Sequence, residues 1–277
     1  MNFYSILATI LAVVVLIFGI NGSGDLTAFL NIHALFIVIG GTFTASAISF
    51  QLDRLFVLFK IFIGTFFSKN KIDITVIIKE IVRMNQGYQG GSDALQTAVS
   101  QARDPFLKEA MILVQEGALS QEEIVDTLKG RVSAIYYKQS DEVSKLRTIS
   151  RYPPAFGLLG TTLSMIRLLQ RLGDAGAQKM IGTEMALGLI ATFYGLVLAN
   201  LVLYPMAENL SDNARRLRYK NLVIVEGVRM MLNGSGPIAI AEKLNSYLMV
   251  GDRLAWQQFV QPEMETGTSS ESPGIAA

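Results

Sequence analysis

The sequence has no cysteine and only one histidine among its 277 residues. The missing thiols exclude disulfides, thiolate catalysis and cysteine-ligated metals together, and one imidazole makes a zinc or haem site implausible. Charged residues are also scarce, at 17% of the chain, and the net charge is +1. Because no strong field of either sign follows from this composition, no nucleic acid partner is expected.

The residue patterns of catalytic sites are missing as well. The apolar segments contain neither a serine–histidine arrangement nor paired aspartates, and Gly90-Gly91 lacks the lysine and strand context of a phosphate loop. We interpret the single histidine, His33, as a hydrogen-bonding residue at a membrane edge. The sequence therefore predicts neither an enzyme nor a cofactor.

The chain is instead rich in apolar residues, since 51% of its residues are hydrophobic and its mean hydropathy is +0.38. Four apolar runs occur at 3–20, 34–50, 155–172 and 185–204. Each has at least 17 residues, which is within the range of about 17–25 residues that a transmembrane helix needs. The pattern predicts an all-α integral membrane protein with four transmembrane helices and long cytoplasmic helical extensions. Lysines and arginines flank the inner ends, which places both termini in the cytoplasm.

Composition divides the chain into six predicted regions. They are a transmembrane hairpin (1–50), an interfacial amphipathic helix (51–71), a cytoplasmic helical region (72–150), two inner transmembrane helices (151–205), a cytoplasmic helical extension (206–260) and a disordered tail (261–277). Within the cytoplasmic region, Asp104-Pro105 predicts a helix start, and Ser120 with Glu123 predicts a capping box. No strong stop follows until Pro153, so one continuous helix from 121 to 172 would be about 75 Å long.

The inner pair of runs carries small and hydroxylated residues at helical spacing. One face of the third run holds Gly157, Gly160 or Thr161, and Ser164, whereas Gly188, Ala191, Gly195 and Ala199 share a face of the fourth, beside Thr192. One interpretation is close helix packing through small residues. The other is an ion pathway, lined by Gly157 and Gly195, in which Thr161, Thr162 and Thr192 offer oxygen ligands to a cation such as sodium.

Charged residues and prolines mark the two ends of these helices. Arg167 and Arg171 fall near the outer end of the third run and Glu184 at the outer start of the fourth. They either snorkel to lipid headgroups or form an external ion pair. Pro154 and Pro205 lie where the helices leave the membrane, and each removes a backbone hydrogen bond and permits a kink.

At these residues the sequence resembles the MotA/PomA family, the A subunit of the bacterial flagellar motor stator. The matching text is PAFG at 154–157 with GT at 160–161, then LIATFYG at 189–195 through AN at 199–200 to Pro205. IVIGGT at 37–42 and ISF at 48–50 add to it. The likeness covers the chain to about residue 250, and the order and spacing of the motifs make it specific.

The resemblance implies a bacterial inner-membrane protein of motility and chemotaxis that forms a homo-pentamer around a B-type partner (MotB/PomB-like). The partner would carry the membrane aspartate and a peptidoglycan-binding domain. A transported cation, Na⁺ or H⁺, would drive torque on the rotor protein FliG, which the 72–150 region would face. The residues agree on one point, because no acidic side chain lies mid-membrane in this chain.

The resemblance also implies roles for single residues. Pro154 and Pro205 match the prolines that couple ion movement to shape change. Thr161 and Thr192 match positions where sodium-driven members carry threonine, which favours sodium, although Ala191 departs from their second threonine. Arg83 matches a rotor-contacting arginine, and Asp93 is chosen for the acidic partner because Gly90-Gly91-Ser92-Asp93 replaces the family's Leu-Glu pattern.

A related energiser of the ExbB/TolQ type is the alternative. Such proteins also surround partner helices that carry an aspartate, but they typically have three spans with the N-terminus outside. The hairpin formed by the first two runs and the long insert between runs two and three favour the stator subunit.

Overall fold

The computed structural model describes residues 11, 14, 18, 29–50, 73–173 and 177–255. Most of the first predicted span, the interfacial segment 51–71 and the tail 261–277 lie outside the described residues. Helices and turns account for all the regular structure within the described part, which confirms the predicted all-α fold there.

Nine α-helices are described, and we number them in chain order. They are α1 (Ile32–Ser49), α2 (Ile74–Gln89), α3 (Ser92–Gln101), α4 (Pro105–Glu116), α5 (Gln121–Ile149), α6 (Tyr152–Arg171), α7 (Ala177–Val197), α8 (Tyr204–Leu232) and α9 (Pro237–Asn245). A six-residue π-helical turn, Leu198–Leu203, connects α7 to α8, and a 3-10 turn, Val250–Asp252, follows α9.

The chain divides into two compact units. The first comprises residues 1–70 and 137–215, and the second comprises residues 71–136 and 216–277. Two stretches among the described residues are long and apolar enough to cross a membrane, Ile32–Ser49 and Met180–Leu232, and they agree with the second and fourth predicted spans. Helix α6, the third predicted span, has 20 residues but a lower hydropathy, because glycines, threonines, prolines and two arginines occupy it. The count of four spans remains a prediction.

In the first unit, α6 and α7 pack antiparallel with their backbones in contact. A Cβ atom built on Gly195 would lie 2.4 Å from the Pro153 carbonyl oxygen, and one on Gly160 would lie 2.6 Å from the Ala191 Cβ. Helix α1 also packs on α6 at a glycine, but against a side chain, since a Cβ on Gly41 would lie 2.2 Å from the Phe156 ring. The small residues therefore act as helix-packing positions, as the first interpretation of the sequence expected.

The second unit has an ordinary hydrophobic core. Fully buried residues from different helices meet there, among them Ile78, Leu107, Leu128, Ile224 and Leu244. Asp104 and Lys220 form an ion pair inside this unit, with only 8% and 7% of their side chains exposed. A buried pair of this kind is costly to break because removal of either partner leaves an uncompensated charge.

The predicted helix starts of the second unit are confirmed. The Asp104 carboxylate accepts hydrogen bonds from the backbone N–H groups of Phe106 and Leu107, and α4 ends at Gly117 in the left-handed conformation (φ 61°). Glu123 accepts from both the backbone N–H and the hydroxyl of Ser120, at 2.9 and 2.8 Å, which lowers the pKa of Glu123.

The continuous helix from 121 to 172 is not observed. Helix α5 ends at Ile149, a turn occupies Ser150 and Arg151, and α6 begins at Tyr152. The break precedes Pro153 and Pro154 because a proline inside a helix has no N–H to donate and its ring clashes with the preceding turn, whereas the first turn of a new helix tolerates it. The sequence indicated the right place but not that the helix stops there.

We predict that Gly195→Ala lowers the melting temperature of the purified full-length chain in detergent. The added methyl would meet a backbone carbonyl at 2.4 Å, which cannot move aside as a flexible side chain would. Gly182→Ala on the same helix is the matched control, because nothing lies within 4 Å of its Cβ position. That change should be neutral or should stabilise the helix by about 0.5–1 kcal/mol. Equal melting temperatures for the two variants would contradict the packing described here.

Candidate functional site

Four oxygen atoms meet where α6 crosses α7, and they belong to two threonines and two glycines. The Oγ1 atoms of Thr161 and Thr192 lie 2.5 Å apart. Thr161 Oγ1 lies 2.9 Å from the carbonyl oxygen of Gly188 and 3.3 Å from that of Gly157. Thr192 Oγ1 lies 3.3 Å from the carbonyl oxygen of Gly157 and 3.4 Å from that of Gly188. We call this group the hydroxyl–carbonyl cluster.

The cluster has more acceptor capacity than it has protons. Two hydroxyl hydrogens are shared among four oxygens, because the carbonyls can only accept. Neutral oxygens with spare lone pairs are the ligands that hard cations take from proteins. Opposing ligands of such a cation would be about 5 Å apart, given ion–oxygen distances of about 2.3–2.6 Å. The two hydroxyls, at 2.5 Å, can therefore serve a cation only from one side.

The glycines make this cluster possible by letting the backbones approach. A Cβ on Gly157 would lie 2.9 Å from the Ala191 carbonyl oxygen and 3.0 Å from the Thr192 Cα. A Cβ on Gly188 would lie 3.1 Å from the Thr161 Cα. Any side chain at either position would push the helices apart and separate the two hydroxyls.

Two of the five residues predicted for the ion pathway have other surroundings. Thr162 is exposed, and its hydroxyl donates to the Leu158 carbonyl of its own helix at 3.0 Å. Gly195 is buried against Pro153 one turn away from the cluster. The structure thus brings together Gly157, Thr161 and Thr192, but neither Thr162 nor Gly195 joins them.

The two predicted coupling prolines occupy different kinds of helix break. Pro154 is in the first turn of α6, where its missing N–H is not needed. Pro205 is the second residue of α8, directly after the π-helical turn, and the Tyr204 N–H bonds the Ala199 carbonyl five residues back. The wider turn accommodates a proline that cannot complete the α-helical ladder.

The predicted external ion pair is not formed among the described residues. Arg167 is exposed, Arg171 donates to the Met180 sulfur at 3.7 Å, and neither guanidinium lies within salt-bridge distance of Glu184. The physical reason is the orientation of the Glu184 side chain, whose Oε2 atom is buried and has no hydrogen-bond partner. The pairing of these three residues is thus not supported, although their positions at the helix ends are as expected.

The predicted rotor-binding residues lie on neighbouring helices of the second unit. Arg83 is exposed on α2, and Asp93 is exposed in the first turn of α3. Arg83 also lines a cavity of about 220 Å³ together with Lys79, Arg103 and Glu80. Three basic side chains thus surround one small cleft.

Two features of the site were not predicted from the sequence. They are the participation of the glycine carbonyls and the lack of a hydrogen-bond partner for the Ser164 hydroxyl. The Ser164 hydroxyl is buried between the inner helices without a hydrogen-bond partner. A signal for the carbonyls was present, because Gly157–Thr161 and Gly188–Thr192 have the same four-residue spacing, which lets a threonine reach the carbonyl one turn back.

Comparison with known proteins finds similar chains over most of this sequence. Residues 98–221 match the MotA/TolQ/ExbB proton channel family. Motility protein A of Borreliella burgdorferi is 29% identical over 237 residues, which cover 82% of this chain and 86% of that protein. Chemotaxis protein PomA of Vibrio alginolyticus is 25% identical, with 83% and 88% covered.

The chain is similar to proteins of the MotA/PomA type over most of its length. Its fold is that of MotA in the C. jejuni MotAB structure, with a TM-score of 0.81 at 21% identity over 92% of this chain and 99% of that one.

We predict that Thr161→Val destabilises the purified full-length chain more than Thr162→Val does. The first change leaves the Gly188 carbonyl without its 2.9 Å donor inside the helix pair, whereas the second removes only an exposed bond within one helix. Interhelical hydrogen bonds in membranes contribute about 0.6 kcal/mol on average and up to about 1.7. Thermal unfolding in detergent measures the difference, and a larger loss for Thr162→Val would contradict the assigned contacts.

Proposed function

We propose that this chain is the A subunit of a flagellar stator, a channel subunit that converts a transmembrane cation gradient into torque on the rotor. The observation that supports this most directly is the hydroxyl–carbonyl cluster, which lies where glycines bring α6 and α7 close together. In a chain similar to MotA/PomA proteins, a group of neutral oxygens at this point suits transient contact with a passing cation.

The ion-carrying carboxylate would come from a second subunit. Helix α6 contains no acidic residue, and the single acid of α7, Glu184, lies near its start rather than beside the cluster. We therefore propose a B-type partner (MotB/PomB-like) whose membrane aspartate passes the cluster and whose outer domain grips peptidoglycan. The C. jejuni structure is that of a MotAB complex, which supports a two-component assembly. Five copies of this chain would surround the partner helices.

The proposed location is the bacterial inner membrane, with four spans and both termini in the cytoplasm. Exposed apolar side chains on α1, including Phe36, Phe43 and Ile48, suit contact with lipid in such an arrangement. The basic segments flanking the spans support the cytoplasmic assignment of the helical extensions.

Sodium is the proposed coupling ion. Thr161 and Thr192 supply hydroxyl oxygens at adjacent positions, and a partly dehydrated metal cation needs such ligands more than a proton does. Pro154 and Pro205 would allow the inner helices to bend as the ion passes.

The rotor protein FliG is the proposed partner of the second unit. Arg83 and Asp93 are both exposed, and the basic cleft that Arg83 shares with Lys79 and Arg103 suits an acidic side chain. Exposed charges of this kind steer a transient partner more than they hold it.

An ExbB/TolQ-type energiser is the second candidate, because the matching family includes those proteins. Several relatives that cover most of this chain are motility or chemotaxis proteins, which favours the stator. Reporter fusions separate the two, since a stator subunit has four spans and a cytoplasmic N-terminus.

We predict that the chain, expressed with its B-type partner in a stator-deficient cell, restores swimming whose speed rises with external sodium at fixed pH. Thr161→Ala should shift this dependence to higher sodium because it removes one oxygen of the cluster. Thr162→Ala is the control and should leave the dependence unchanged, since its hydroxyl bonds only its own helix. Full speed without sodium, abolished by a protonophore, would overturn the sodium assignment and leave the stator assignment intact.

We also predict that Arg83→Glu reduces torque without reducing the amount of protein in the membrane. Reversing the charge would repel an acidic rotor surface, and a complementary reversal on the rotor should recover part of the loss. Lys108→Glu is the matched control, because Lys108 is an exposed lysine of the same unit that forms no salt bridge among the described residues. Tethered-cell rotation measures both variants, and normal torque in Arg83→Glu would contradict the contact.

A further inference from the structure

Two buried oxygens on facing inner helices have no hydrogen-bond partner. They are the hydroxyl oxygen of Ser164 on α6 and the Oε2 atom of Glu184 on α7. Ser164 is only 2% exposed. Most buried polar atoms in proteins are paired, so an unpaired hydroxyl and an unpaired carboxylate oxygen on the same interface call for an explanation.

The antiparallel register places both residues along one line with the hydroxyl–carbonyl cluster. Gly188 contacts two positions of α6, since a Cβ built on it would lie 3.1 Å from the Thr161 Cα and 3.2 Å from the Ser164 Cβ. Glu184 precedes Gly188 by one helical turn and shares its face. Ser164 and Glu184 therefore follow the cluster in the direction of the linker between α6 and α7, which is the outer end of the predicted spans.

No basic side chain compensates the carboxylate among the described residues. The titratable groups on the helices packed against this part of α7 are Arg167 and Arg171 on α6 and His33 on α1, and all three are exposed. None of them lies within salt-bridge distance of Glu184. The buried Oε2 atom of Glu184 therefore has an unused acceptor site, and a bound cation is one partner that would satisfy it.

We propose that Ser164 and Glu184 form a binding site for a monovalent cation, sodium or hydronium, one step before the hydroxyl–carbonyl cluster. Glu184 supplies the charge that draws the cation out of water, and the Ser164 hydroxyl supplies a neutral ligand. From this site the cation moves one helical turn to Thr161 and Thr192. The site rests on the proposed function, because only a channel subunit has a use for a cation here.

The test uses the full-length chain with its B-type partner in a stator-deficient cell. Swimming speed is measured against external sodium at fixed pH and, separately, against pH at fixed sodium. Glu184→Gln should raise the half-saturating cation concentration at least tenfold, and Ser164→Ala should raise it less, by about threefold. The titration that shifts identifies the ion as sodium or hydronium. Thr183→Val, an exposed neighbour on the same helix, is the control and should shift neither.

A second measurement covers the case in which Glu184→Gln does not assemble. Infrared difference spectra of the purified complex, recorded on exchange of sodium for choline and on a pH step, should contain a carboxylate band that Glu184→Gln removes. Glu184→Asp keeps the charge but moves it, so it should assemble with a shifted half-saturation. Unshifted titrations in Glu184→Gln, or in Glu184→Asp if only that variant assembles, would overturn the site. If the unaltered chain restores no swimming, the proposed function itself fails.

Discussion

The contact of two helix backbones at glycine is the constraint on which the first unit depends. Gly157, Gly160, Gly188 and Gly195 each lack the Cβ atom that would separate α6 from α7. Lipid offers no hydrophobic drive between helices, so association in a membrane relies on such close packing and on interhelical hydrogen bonds. The same approach brings the Thr161 and Thr192 hydroxyls within 2.5 Å, and it seals Ser164 from solvent. Packing and candidate chemistry therefore have one origin, and the two interpretations of the small-residue pattern are complementary.

The helix breaks around this contact satisfy a second constraint, which is that backbone groups in a membrane must be paired internally. A proline removes a donor, so each inner helix needs a local solution at its predicted cytoplasmic end. Helix α6 uses its first turn, where a donor is not required, whereas α7 and α8 are joined by a π-helical turn that pairs Tyr204 with Ala199. The geometry of a π-helical turn is close to that of an α-helix, so a small change converts one into the other. The turn is therefore a suitable position for a bend.

The sequence predicted the features that depend on neighbouring residues in the chain. It left open the features that depend on contacts between residues far apart in the sequence. The all-α fold, the caps at Asp104 and Ser120, and the small-residue packing followed from spacing and residue type. The α5–α6 break was marked by Pro153 but not predicted as a stop, because a proline in the first turn is compatible with either outcome. The Arg167–Glu184 pair is not formed among the described residues, since charge and sequence position do not give the direction of a side chain. The carbonyls of Gly157 and Gly188 were missed because every residue has a carbonyl, and only the fold shows which ones a threonine can reach.

The proposed pathway runs from a carboxyl group at one end to neutral oxygens at the cluster. This arrangement suits the passage of a cation rather than its tight binding. The carboxyl group of Glu184 lies at one end of the line, Ser164 adds one neutral oxygen, and the cluster adds four neutral oxygens with only two hydrogens among them. A site that conducts must bind well enough to admit the ion and weakly enough to release it. Four carboxylates in place of these oxygens would hold a cation too firmly, and an apolar interface would not admit one. Neutral oxygens do not balance the charge of a cation, so a carboxylate on a partner helix would complete the proposed pathway. Neither α6 nor the part of α7 beside the cluster contains an acidic residue. The proposed partner would supply that carboxylate as it moves past.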